Sequence, residues 1–128
     1  MRTGIVPKLT STMKPRRGDV ILVLFPNSDL RTAKRRPALV LQRDQLGSGL
    51  NQTIVAMISS NPARANHPSR VAIPLASPAG RASGLRLDSW LMTDNLATVL
   101  DSEIDSVLGQ LPDLSTAEAA LKHTLALS

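Results

Sequence analysis

The sequence predicts a mainly β fold with a C-terminal helix: a small, partly open barrel with the helix packed against it. Three features carry this expectation. Five or six short apolar runs follow one another at close intervals, Gly, Pro, Asn and Ser cluster between them, and one late segment repeats its apolar residues at helical spacing. A chain of 128 residues suits one domain with one sizeable core.

Residues 1–15 read as a flexible N-terminal arm and 16–128 as one barrel domain, with Met1 and Met13 both possible natural starts. The first strand is Gly18 to Phe25, an apolar and β-branched run ended by the turn signal Pro26–Asn27. Residues 26–36 form a polar, basic loop. Pro37 opens a second strand to Gln42, since proline is tolerated at a strand's first residue. After a loop over 43–51, Gln52 to Ser60 is a third strand. Arg70 to Ala76 is a fourth, whose Pro74 marks an edge or a bulge. Ser77 to Arg86 reads as a Gly/Ser/Pro loop. Asp88 to Thr93 is a fifth strand, and Leu96 to Leu100 continues it or pairs with it. Trp90 alternates with Met92 there and reads as core. Asp101 is placed to cap a short helix over 102–109, stopped by Gly109. Ser115 and Glu118 have capping-box spacing for a last helix over 116–127, with Leu114, Ala117, Leu121 and Leu125 on one side.

Composition narrows the function. The chain is 42% apolar and 20% charged, which is a folding composition. It has no cysteine, which removes disulfide frameworks and zinc–thiolate sites and fits a cytoplasmic location. His67 and His123 are the only histidines, one in a Pro-rich loop and one in the last helix, so neither a metal nor another cofactor is expected. No apolar run approaches the ~20 residues of a membrane span, and the N-terminus has no apolar stretch suited to a secretory signal.

Net charge is +5, and its distribution says more than its size. Residues 1–86 hold 14 Lys/Arg against three Asp/Glu, a local balance of +11; residues 87–128 hold one Lys against seven acids, a balance of −6. So sharp a split suggests one basic face for a polyanion. Phe25 and Trp90 are the only aromatics, so a nucleic acid bound here would be held through phosphates and polar side chains more than by stacking.

The segments RRGDVILVLFP (16–26), RRPALVLQRD (35–44), TIVAMISSN (53–61), the spacing from Gly84–Leu85 to Asp88–Ser89, and ATVLDSEIDSVLGQLP (97–112) together resemble MazF/PemK-type toxins over about residues 16–112. The resemblance implies an SH3-like small barrel, a fold shared with CcdB-type proteins, and usually a homodimer. It also implies a type II toxin–antitoxin toxin that cleaves single-stranded messenger RNA and is neutralised by a cognate antitoxin, for which charge complementarity to the basic loop predicts an acidic, partly disordered tail. Two other functions stay open: a catalytically decayed RNA-binding barrel, and a CcdB-like gyrase poison, against which the terminal LALS argues because that activity depends on a Trp-Gly-Ile-like end.

RNA brings its own nucleophile. A protein that helps remove the 2′-OH proton, stabilises the phosphorane-like transition state and protonates the 5′ oxygen yields a 2′,3′-cyclic phosphate and a 5′-OH end without a metal. Arg36 matches the arginine of the family's Arg-Pro step. Its guanidinium offers a planar fork of donors for phosphate, and because arginine stays protonated, charge stabilisation and proton donation are the expected roles. Ser59 falls where the family most often has threonine, and its hydroxyl is suited to hold a phosphate oxygen. Ser60 and Asn61 adjoin it. Arg31, Lys34 and Arg35 are expected to line the RNA path, with Arg86 and, more weakly, Arg64, Arg70 and Arg81. The chain departs from its relatives at Arg31, where many have Glu, and at Asn95 and Ala97, where many have Gln and a basic residue.

Overall fold

A computed structural model describes residues 14–128. Most of the expected arm, and both candidate starts, lie outside the described residues. Where the description begins, Pro15 is buried, and the Lys14 ammonium donates to the Gln52 carbonyl at 2.5 Å and lies 3.0 Å from Asp101.

Gly18 turns the chain into the sheet. Its φ is +92°, a backbone conformation open to glycine at little cost, and its carbonyl accepts from Leu111 N–H at 2.9 Å. Asp19 follows, buried, with one carboxylate oxygen accepting from Arg16 N–H at 2.8 Å and the other from the Gln110 amide at 3.1 Å. The Gly-Asp pair is therefore a framework element that ties the start of β1 to the segment around Gln110 and Leu111.

The six strands are β1 (Asp19–Pro26), β2 (Ala33–Val40), β3 (Gln52–Ser59), β4 (Arg70–Ile73), β5 (Ser89–Leu100) and β6 (Ile104–Gln110). They form one antiparallel sheet in the order β4-β5-β3-β2-β1-β6. The sheet is strongly curved but not closed, an open SH3-like barrel with a C-terminal helix. Two helices accompany it, α1 (Pro78–Ser83) and α2 (Ser115–Leu125).

Both faces of the sheet are apolar, which is why β1 reads as an unbroken apolar run and not as an alternating one. Ile21, Val23 and Phe25 point inside the curl with Ala38, Val40, Val55, Val99 and Ile104. Val20, Leu39, Ile58 and Leu91 point the other way, against Ala117 of α2 and, more loosely, Ala79 of α1.

Several expectations are corrected. The basic loop is shorter than predicted, because β2 begins at Ala33 and pairs with β1 as far as Pro26. The expected fifth strand and its continuation are one bent strand. The β3–β5 register jumps from Ala56–Leu96 to Met57–Met92, so Thr93 to Asn95 bulge out, with Thr93 N–H and hydroxyl both bonded to the Ser69 carbonyl. Trp90 is half-buried and belongs to neither core.

The helix expected over 102–109 is strand β6, entered through a single 3-10 turn at Asp101–Glu103. The outer edge of β1 needs backbone partners, and that pairing overrides a short helix. Asp101 caps nothing; it is buried and accepts from the Thr53 hydroxyl at 2.7 Å. The capping box does not form either. Asp113 accepts from Ser115 N–H at 2.9 Å, while Glu118 pairs with Arg17 at 2.6 Å. Conversely, the loop read over 77–86 contains α1, whose first turn is set by the Ser77 hydroxyl accepting from Gly80 N–H and by Pro78 in the first helical position.

α1 ends at Gly84, whose φ is +74°. A Cβ built there would lie 2.1 Å from the Leu108 carbonyl oxygen of β6. Only glycine lets these two backbones meet. Gly84→Ala adds left-handed strain to a backbone clash and is expected to cost about 2 kcal/mol or more. Thermal unfolding checks this: a melting point several degrees below wild type is expected, and an unchanged one would refute the packing described.

Candidate functional site

The β2–β3 ladder runs from Val40–Val55 to Ala38–Met57 and stops there. The next residue of β2 is Pro37, which has no N–H to offer the ladder. Beyond it β2 stays with β1 while β3 turns away toward Asn61, and a groove of roughly 690 Å³ opens between them.

One wall of the groove is β2, presenting Lys34, Arg35 and Arg36. The end of β3 presents Ser59, Ser60 and Asn61, and the turn from α1 to β5 presents Arg86. Four cations therefore line the groove, and no Asp, Glu or His does. Arg36 is partly buried, and its Nη2 donates to the Asn27 side-chain oxygen at 3.1 Å. Asn27 is itself fixed, its N–H bonded to the Thr32 carbonyl and its amide to the Thr32 hydroxyl, both at 2.9 Å. The guanidinium is thus oriented by a neutral partner that leaves its charge intact. The Ser59 oxygen accepts from Asn61 N–H at 3.1 Å, a turn bond that leaves its hydrogen available to an acceptor in the groove. Asn61 uses its side-chain oxygen to cap the 3-10 turn at Pro62–Arg64, and its amide hydrogens have no partner among the described residues. At the rim, Arg35 pairs loosely with Asp105 at 3.2 Å.

Seven of the eleven candidate residues named from sequence share this groove. Arg31 does not line it. It sits in the β1–β2 turn, where Asp29 accepts from the Thr32 N–H at 3.0 Å and from the Arg31 N–H at 2.9 Å; these bonds hold the Asp29 carboxyl below the usual carboxylate range. Arg64 and Arg81 also lie elsewhere. Asn95 and Ala97 are outside the groove too. Asp94 is held by Arg70 through two hydrogen bonds, at 3.0 and 2.7 Å, and the Asn95 amide lies 3.5 Å from the Met57 sulfur. Asn27, Leu87 and Leu108 escaped the sequence reading: Asn27 looks like ordinary turn chemistry, and the two leucines reach the groove only through the α1–β6 contact. A smaller cavity of about 350 Å³ lies under the 43–51 loop, away from all the candidate residues. Among the described residues no three His, Asp or Glu side chains gather where one metal ion would touch them, and no helix is long and apolar enough to cross a membrane.

The class of protein is thus a small open SH3-like barrel with a groove lined by four cations and no carboxylate. The profile of the family described as PemK-like, MazF-like toxin of type II toxin–antitoxin system matches residues 16–125, and the chain belongs to that family. Solved structures agree in fold. An endoribonuclease from a mycobacterial species, bound to its cognate antitoxin, superposes with a TM-score of 0.68 at 19% identity, covering 90% of this chain and 98% of the other. A second mycobacterial endoribonuclease gives 0.66 at 21% identity, over 88% and 92%. MazF from Deinococcus radiodurans gives 0.66 at 21% identity, over 88% and 97%. A comparison with proteins of curated function found no match.

The Arg70–Asp94 pair also predicts a pH dependence. Hydrogen bonding to the Arg70 guanidinium holds the Asp94 carboxyl below its ordinary 3.8, against the opposing effect of burial. A depressed carboxylate contributes stability above its ordinary pKa and loses it as pH falls through the depressed value. Asp94→Asn is therefore expected to destabilise at pH 7 and to differ less from wild type near pH 3. Urea unfolding at the two pH values checks this; an equal gap at both would contradict the assignment.

Proposed function

We propose that this chain is a metal-independent endoribonuclease, the toxin of a type II toxin–antitoxin pair. The carrying observation is that Arg36 and Ser59 lie in one groove with three further cations and no carboxylate. Single-stranded RNA lies along the groove with its phosphates toward β2. The substrate's 2′-OH attacks the adjacent phosphorus and passes its proton to solvent water, the 5′ oxygen leaves with a proton from Arg36 that solvent then restores, and the ends are a 2′,3′-cyclic phosphate and a 5′-OH. Arg36 stabilises the charge that grows on the equatorial oxygens and, held from behind by Asn27, supplies the proton to the leaving oxygen. The Ser59 hydroxyl donates to a phosphate oxygen. Lys34, Arg35 and Arg86 hold neighbouring phosphates, and Ser60 and Asn61 add polar contacts. Arg31 has no part in this scheme. The reaction needs no metal, since RNA carries the nucleophile itself.

The resemblance and the antitoxin-bound relative support a cognate antitoxin, the groove's four cations favour an acidic tail of it as the part that covers them, and the resemblance supports a homodimer.

Purified protein incubated with a long single-stranded RNA in EDTA tests this. The expected outcome is cleavage that survives EDTA and falls by about 10²-fold or more in Arg36→Ala. Intact RNA at high protein concentration would overturn it, and inhibition of gyrase supercoiling in its place would assign a different target.

A further inference from the structure

The groove that holds the cations is also apolar. Leu22, Pro37, Ile58 and Leu85 line it, together with Leu87 and Leu108, which remain 61% and 36% exposed. Large apolar side chains left open beside four cations match a ligand that is both anionic and apolar. A simple phosphate or a fully hydrated polyanion would gain nothing from them. A single-stranded nucleic acid has both characters, in its phosphates and in the faces of its unstacked bases.

The aromatic partners for such a base are excluded. Phe25 is completely buried inside the curl, Trp90 does not line the groove, and the chain contains no tyrosine. Neither histidine lines the groove. A base that enters it meets leucine.

The backbone at the two leucines is fixed. The Leu87 carbonyl accepts from the Ser89 hydroxyl at 2.8 Å, and next to it the Asp88 carboxylate accepts from Leu75 N–H at 2.8 Å. Leu108 is brought to the groove by the close approach of Gly84 to its backbone. Preorganised apolar contact of this kind lowers the entropy lost on binding.

We propose that Leu87 and Leu108 form an aliphatic subsite for one unstacked base of the RNA, next to the phosphate held by Arg36. The subsite supplies what the scarcity of aromatics takes away, and it recognises a base by shape and dehydration. It rests on the reading of the groove as an RNA site, and its test separates the two.

The test is binding, without cleavage. A short 2′-O-methyl RNA lacks the attacking hydroxyl, and an abasic oligomer of the same length and backbone keeps the phosphates but removes the bases. Fluorescence anisotropy at one salt concentration gives both affinities. The wild type is expected to favour the base-bearing oligomer by about 10-fold, the scale of one buried apolar contact. Leu87→Ala and Leu108→Ala are expected to erase most of that preference while affinity for the abasic oligomer stays within about twofold. Should Leu108→Ala fail to fold, Leu87→Ala alone decides, since this exposed side chain belongs to neither core. A wild type that binds both oligomers equally, or variants that keep the preference, would overturn the subsite and leave the phosphate site standing. So would loss, in Leu87→Ala, of affinity for an acidic leucine-bearing peptide with the RNA preference unchanged; that would assign the leucines to a protein partner. A wild type that binds neither oligomer would overturn the RNA reading itself.

Discussion

The parting of β2 from β3 at Pro37 is the constraint on which the site depends. A central strand normally pairs along both edges. Here β2 pairs with β1 from Ala33 to Leu39 and with β3 only from Ala38 to Val40. The half without a β3 partner carries Lys34, Arg35 and Arg36, and β3 leaves in a Ser-Ser-Asn-Pro turn. Proline and turn together keep the gap open at the level of the backbone, so the cations and hydroxyls come to face a common space. The Arg-Pro step therefore has two parts with separate jobs: proline ends the ladder, and arginine occupies the opening that results.

The uneven charge along the chain has a structural counterpart. Six of the seven acids after residue 86 are committed to the framework. Asp88 holds Leu75 N–H, Asp94 holds Arg70, Asp101 holds Thr53 and Lys14, Asp105 meets Arg35, Asp113 holds Ser115 N–H and Glu118 holds Arg17. Each of these acids satisfies a backbone donor, a hydroxyl or a cation where it stands. Among the described residues Lys34, Arg36 and Arg86 have no carboxylate partner. The C-terminal part stabilises the fold with its acids and leaves the groove's positive field uncancelled, apart from the exposed Arg35–Asp105 pair, a contact of small energetic weight.

Much of this could be read from the residues. Runs such as GDVILVLF and QTIVAMIS state their strands through β-branched and apolar content, and the basic cluster before Pro37 states its charge. Where the reading failed, long-range pairing had overridden local preference. The 102–109 segment has helix-like punctuation in Asp101 and Gly109, but the free edge of β1, some eighty residues earlier, recruits it as β6. Ser115 and Glu118 have the spacing of a capping box, but Arg17 and Asp113 engage the same groups first. α1 was legible in Ser77–Pro78 and was masked by the surrounding Gly and Ser. Arg31 was drawn toward the groove by charge alone, and the Asp29 turn places it elsewhere. Leu87 and Leu108 could not have been found from sequence, since nothing local joins a turn at 87 to a strand at 108.

On the proposed function, an RNA phosphate is held in the gap beside Pro37. A crystal structure of the protein with a short 2′-O-methyl RNA addresses it directly. A phosphate within hydrogen-bonding distance of the Arg36 guanidinium, between β2 and the end of β3, is the predicted result. RNA bound elsewhere, across the 43–51 loop or beside α2, with the groove free of phosphate, would contradict it.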